Sequence, residues 1–335
     1  MQKELDELHG VLTKLTSTAL GRRAFLASVP FLLTACATSQ HRGREGDNSG
    51  QQTSLTVDDE KKMTAEVLPQ MQKEYPPLNN PEMQNYVSEM GNQIVRANGL
   101  AGNPYHYSFT VVGVPYVNAF ALPAGTVFVT APLIDLADSE AELAGVIGHE
   151  IGHVKARHSA ERMDTAKREQ KKSWLYGIGG GLLGGAAGFG VGKLLCPPTD
   201  RTCLVKASAL GAAAGAGGGL LIQKFAFMAN SREDEMEADR IGFRTSVRAG
   251  YSKDHVGRFY SKLLKMEEQH KSGGAPLMSS VADALSTHPP SRERVAQMQQ
   301  MSGESTQGAN GRVSSKQFDR VRSLASEWTR AHKKA

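Results

Sequence analysis

The stretch AELAGVIGHEIGHVKARHS, residues 141–159, decides how this chain is read. His149 and His153 stand four positions apart, so on a helix they lie on one face, one turn apart. Two imidazoles placed that way can hold one metal ion, and Glu150 between them can reach a water beside it. Advancing about 100° per residue, Ala144, Ile147, Ile151 and Val154 form a core-facing stripe. Gly145, His149, Gly152, His153 and Ala156 fall on the other side. A solvated face normally carries Lys, Glu or Arg; this one carries histidine amid glycine and alanine, so something packs or binds closely against it. Ser139 followed by Glu142 is a capping-box pattern that opens the helix. A catalytic zinc takes three protein ligands and keeps one position open, so a third ligand is expected from elsewhere in the fold.

The acidic run NSREDEMEADRIG, residues 230–242, is where that ligand is sought. Helical phase divides it. Glu233, Glu237, Arg240 and Arg244 share a narrow arc and read as a solvated, salt-bridged strip. Nearly opposite lie Ser231, Glu235, Ala238, Asp239, Gly242 and Ser246, a small-residued face able to approach the glycine side of the histidine helix. Phase leaves both Glu235 and Asp239 open as the ligand. Glutamate has the longer reach, and carboxylates behind a metal site commonly orient a ligating histidine. The assignment is therefore Glu235 on the metal and Asp239 behind a histidine.

The chain has 335 residues, 40% hydrophobic and 22% charged, with a formal net charge of +5, enough for one sizeable core. No zinc-finger, RNP or long basic-helix pattern appears, so nucleic acid is not an expected partner. Residues 1–36 read as a signal peptide: Arg22 and Arg23 precede a short apolar run, in a twin-arginine-like arrangement. Leu33-Thr34-Ala35-Cys36 has the form of a bacterial lipobox, with Cys36 as the lipidated residue. Polar residues 37–56 follow as a flexible tether. Export implies an oxidising compartment, so Cys196 and Cys203 are expected to pair as a disulfide, with two free thiols as the alternative. The Gly/Ala-rich apolar segment 174–225 around them has three readings: a helical hairpin on the protein, a membrane-dipping hairpin, or a loop. Helices are expected over 56–75, 82–99, 138–163, 230–249 and 253–271. Short strands are expected in YHYSFTVVG, VNAFAL and TVFVT. The fold class is α+β, mostly helical with a small sheet: one domain over 57–310, then a basic C-terminal helix over 311–335.

HEIGH at 149–153 with EMEAD at 235–239 resembles the zinc metallopeptidases related to HtpX and the CAAX prenyl endopeptidase, whose pattern is HExxH followed by ExxAD. VNAFALPAGTVFVTAPLI, DSEAELAGVIGHEIGHVKARHS and THPPSRERV match as well, and the likeness spans roughly residues 57–303. The resemblance implies a zincin-like metallopeptidase domain with an edge sheet and one Zn2+ per chain, held by His149, His153 and Glu235. It implies Glu150 as the catalytic base. It also implies that His288 approaches the metal, either stabilising the oxyanion or capping the ion in a resting state. By the same likeness, Asn118, Ala119 and Phe120 sit on a cleft-edge strand that grips an extended peptide through its backbone. The lipobox points to the soluble lipoprotein branch: a bacterial envelope protein, anchored at the outer membrane and facing the periplasm, with Ala37 rather than Asp after the lipidated cysteine. Its expected partners are unfolded or mis-assembled envelope proteins, and the membrane through the lipid and, on one reading, the apolar hairpin. Two rival classes stand beside this: a metal-binding envelope chaperone or assembly factor with latent proteolysis, and a membrane-embedded protease acting on lipid-modified or transmembrane substrates.

Overall fold

The computed structural model describes residues 48, 51, 53–102, 104–165, 230–271 and 281–332. Cys36, Cys196, Cys203, the export segment and the apolar stretch 174–225 lie outside them. Among the described residues, no helix is long and apolar enough to cross a membrane.

Two helices open the described chain. In α1 (Val57–Glu74), Thr56 and Asp59 close a reciprocal capping box. In α2 (Pro81–Ala97), Asn80 accepts from Met83 N, and the chain leaves the helix through Gly99 at φ 64°. Three strands follow: β1 (Ser108–Val112), β2 (Ala119–Ala121) and β3 (Thr126–Thr130), in the order β1-β3-β2. β1 runs parallel to β3, with Phe109 opposite Val127, and β2 runs antiparallel to it, with Phe120 opposite Phe128. The sheet is small, mixed and covered on both faces, so alternate side chains enter two different cores. Phe109, Val111, Ala119, Val127 and Val129 enter the larger core, with α2 and the helices that follow. Val112, Phe120 and Phe128 enter a second cluster with Val67 and Met71 of α1.

After β3 come α3 (Ala131–Leu136) and the central helix α4 (Glu140–Lys155). Ser139 Oγ accepts from Glu142 N at 3.3 Å, as its spacing predicts. The Glu142 carboxylate instead accepts from Asp138 N at 3.0 Å, so the return bond closes one residue upstream of the expected capping box. Every residue of α4 from Glu140 to Val154 is buried. The polar-looking face is therefore covered, and α5 (Arg232–Arg248) is what covers it. A Cβ on Gly242 would sit 2.7 Å from the His149 backbone nitrogen, and one on Gly152 would sit 2.8 Å from the Ala238 carbonyl oxygen. Backbones this close demand small residues on both faces. Ser246 adds a bond from its Oγ to the Ala144 carbonyl at 2.8 Å. The remaining helices are α6 (Arg258–Lys271), α7 (Ala282–Thr287), α8 (Arg292–Glu304) and α9 (Lys316–Ala331).

Two segments differ from expectation. The C-terminal basic helix, α9, expected as a segment after the 57–310 domain, packs into that domain: Phe318, Val321 and Ala325 point one apolar face into the larger core against α2 and α3. The end of the expected tether is docked. Asn48 and Gln51 donate to the carbonyls of Lys155 and Ala156, and Ser54 gives its N–H and hydroxyl to Asp164. Polar composition predicts solvation, but the broken end of α4 leaves carbonyls that need donors, and the Asn48 and Gln51 amides supply them.

That break lies at Ala156–Arg157. Arg157 takes φ 55°, a left-handed conformation that costs a non-glycine residue roughly 1–2 kcal/mol. It is fastened by bonds from Arg157 Nε to Glu60 Oε1 at 2.7 Å and from Nη2 to the Leu55 carbonyl at 2.6 Å. Helical backbone resumes at 158.

Candidate metal centre

α4 presents His149 and His153 toward α5, which presents Glu235 in return. His149 Nε2 lies 2.9 Å from His153 Nε2 and 3.4 Å from Glu235 Oε2, and His153 Nε2 lies 3.2 Å from Glu235 Oε1. His288 enters from the turn after α7, with Nδ1 3.3 Å from His149 Nε2 and 3.1 Å from Glu235 Oε1. One ligand atom from each of the four residues falls within 4.8 Å of the others. A tetrahedral zinc with bonds near 2.0–2.1 Å sets its ligand atoms about 3.3–3.4 Å apart. The spacings on this side of the cluster are close to that edge, and three imidazoles with one carboxylate are a donor set that zinc accepts. These residues fit a single metal ion.

The surroundings orient the ligands. Asp239 Oδ1 stands 2.9 Å from His149 Nδ1, so a proton there leaves Nε2 free to ligate. Arg294, fully buried, places Nε and Nη2 on the two oxygens of Asp239, each at 2.7 Å. Its Nη1 reaches Glu235 Oε2 at 2.6 Å and the Pro289 carbonyl at 3.1 Å. One guanidinium thus ties the carboxylate behind His149, the carboxylate ligand and the loop of His288. Asn230 Nδ2 donates to Glu235 Oε1 at 2.5 Å.

Burial pushes the Glu235 carboxyl up, but the charges of His288 and Arg294 outweigh it and hold the group well below the usual carboxylate range. Asp239 is held down in the same way, with Arg294 overcoming burial. Glu150 differs. Burial raises its pKa and the nearby imidazoles offset this only partly, which keeps a carboxylate of raised basicity beside the metal site. Its Oε1 is 3.5 Å from His288 Nε2.

Residues 81–302 match Peptidase family M48. The chain belongs to this peptidase family. It is similar to the beta-barrel assembly-enhancing protease of Escherichia coli K12, 28% identical over 244 residues, 73% of this chain and 44% of that protein. It is also similar to the mitochondrial metalloendopeptidase OMA1 of Arabidopsis thaliana, 34% identical over 185 residues, 55% of this chain and 29% of that one. The OMA1 of Schizosaccharomyces pombe is 24% identical over 249 residues, 73% of this chain and 62% of that one. The chain matches under half the length of its E. coli relative.

In this M48 chain the expected His149, His153, Glu235, Asp239, Glu150 and His288 come together in one site. Asn118, Ala119 and Phe120 do not touch it with their side chains. Ala119 and Phe120 fill the two cores, and Asn118 Oδ1 lies 3.4 Å from the Thr287 hydroxyl that donates to it. What β2 has to offer a peptide is the backbone of an outer strand. Glu237 corrects the sequence reading. Placed there on a solvated strip with Glu233, it is buried, with Oε2 3.4 Å from His158 Nε2. Phase on one helix does not show that α5 is also flanked by the segment that restarts at 158. At the break in the helix, Arg157 bonds the Leu55 carbonyl, while His158 turns inward to His153. Arg294 stands inside THPPSRERV, yet no local period marks it as a site residue.

Glu235→Ala is expected to weaken zinc binding by about 3 kcal/mol, on the order of a hundredfold. This is one ligand's share of roughly 10–16 kcal/mol for a four-ligand site. Glu233→Ala, at an exposed position, is expected to leave affinity unchanged. Competition against a chromophoric chelator reads both, and equal affinities would remove Glu235 from the ligand set.

Proposed function

We propose that this chain is a zinc metalloendopeptidase of the bacterial envelope. On this reading it is lipidated at Cys36, held at the outer membrane, faces the periplasm, and hydrolyses peptide bonds of misfolded or mis-assembled envelope proteins. The observation that carries the chemistry is the convergence of His149, His153 and Glu235 with the buried Glu150 carboxylate alongside. The names of its relatives, a beta-barrel assembly-enhancing protease and a metalloendopeptidase, support the quality-control role.

His149, His153 and Glu235 would hold the ion. Zinc there supplies Lewis acidity to the scissile carbonyl and to the attacking water. Glu150 takes the proton from that water and delivers it to the leaving amine. Asp239 and Arg294 keep His149 and Glu235 aimed. The extended substrate pairs with the outer backbone of β2 beside Asn118, Ala119 and Phe120.

A second reading, a metal-binding chaperone or assembly factor with latent proteolysis, is favoured by His288. Its Nδ1 already stands among the ligand atoms, where it would fill the position a substrate needs. The two are separated by incubating the full-length chain with unfolded casein. Cleavage that stops with chelator and returns with added Zn2+ is expected for the peptidase. Metal binding without any cleavage selects the chaperone reading.

A further inference from the structure

His153 has a second histidine behind it. On an unbroken helix, positions five apart point about 140° away from each other, so His158 would face elsewhere. The break at Ala156–Arg157 reverses this: His158 is fully buried, and its Nδ1 lies 2.8 Å from His153 Nδ1. The other His158 nitrogen, Nε2, faces carboxylates of α5, Glu237 Oε2 at 3.4 Å and Asp234 Oδ1 at 3.6 Å. The clamp of Arg157 on Glu60 and the Leu55 carbonyl holds the left-handed turn that makes this possible.

We propose that His158 is a positioning residue for the metal ligand His153, fixing its tautomer through an imidazole–imidazole hydrogen bond. A neutral imidazole carries one N–H and one bare nitrogen. Ionised carboxylates only accept, so the bond to Glu237 places the His158 proton on Nε2, and the Asp234 carboxylate 3.6 Å away favours the same nitrogen. His158 Nδ1 is then bare and accepts from His153 Nδ1–H. That leaves His153 Nε2 without a proton, turned toward His149 Nε2 and Glu235. The opposite arrangement would put a proton on His153 Nε2, between the ligands, and block it. His149 is aimed by a carboxylate directly and His153 by a carboxylate acting through a second histidine. The α5 acids thus serve both ligands: Asp239 the first, Glu237 and Asp234 the second.

This inference rests on the metal-site reading above, and its test separates the two. The zinc affinity of the full-length chain is measured by chelator competition for wild type, His158→Phe and His158→Asn. Phenylalanine keeps the ring but has no acceptor. Asparagine can place its Oδ1 near the position of Nδ1. The expected result is a 10- to 100-fold loss for His158→Phe and recovery to within about threefold of wild type for His158→Asn, the acceptor being restored. Equal affinity in all three, or equal loss in both variants, overturns the role of His158 while leaving the metal site intact. Failure of the wild type to bind zinc overturns both. Should His158→Phe not fold, nitrogen-15 histidine spectra of the zinc-loaded wild type decide instead. A proton on His153 Nδ1 and on His158 Nε2 supports the proposal; a proton on His158 Nδ1 overturns it.

Discussion

Glu150→Gln is expected to lower kcat for casein cleavage by about 10²–10⁴-fold while binding zinc as tightly as wild type. Glutamine keeps the shape and the buried position, so the helix and its histidines stay in place. An amide does not accept a proton, which is the one step asked of residue 150. The carboxyl is buried and its basicity is raised, in contrast to Glu235, which positive neighbours hold ionised for ligation. Two carboxylates of one site are thereby pushed to opposite roles, as acid–base pairs in active centres are. Steady-state rates with parallel metal titration measure the effect. A variant that keeps kcat within a few-fold of wild type, with zinc bound, would take Glu150 out of the mechanism.

Arg294→Ala is expected to destabilise the metal-free chain by about 3–5 kcal/mol, the cost of breaking a buried ion pair and leaving its acids uncompensated. Asp239 would lose two bonds and Glu235 one, all in a fully buried setting. Arg294→Lys is expected to recover only part of this, because an ammonium cannot fork across Asp239 while also reaching Glu235 and Pro289. Urea unfolding of both variants without metal gives the values. A loss below about 1 kcal/mol in Arg294→Ala would mean that the acids find other partners and that the guanidinium is not what holds the two helices and the His288 loop in register.

Much of this is legible in the sequence because it is local. Ser139 ahead of Glu142 caps its helix, as residues three apart at a helix start can. The facing of Glu235 and Asp239 toward the glycine side of α4 followed from the 3.6-residue period and the small residues on both helices. Glu237 departs from its expected solvated strip, because a period reports which residues share a face and is silent on how many neighbours that helix has. It was equally silent on Arg294, whose partners lie 55 positions away at Asp239 and further off at Glu235. Nor does it show the docking of Asn48 and Gln51, whose amides donate to the Lys155 and Ala156 carbonyls that α4 leaves open where it breaks.

By itself, then, the sequence determined the chemistry on offer. Two imidazoles and a glutamate at helical spacing, an acidic helix with one small-residued face, and a histidine before two prolines are all readable from side-chain type and period. Tertiary structure decided how those groups are aimed. Which nitrogen of each histidine is free depends on what stands behind the ring: Asp239 and Arg294 for His149, His158 with Glu237 for His153. Those neighbours meet because α4, α5, α8 and a kinked helix end pack around one buried point. Packing brings together residues between which no repeating sequence interval runs.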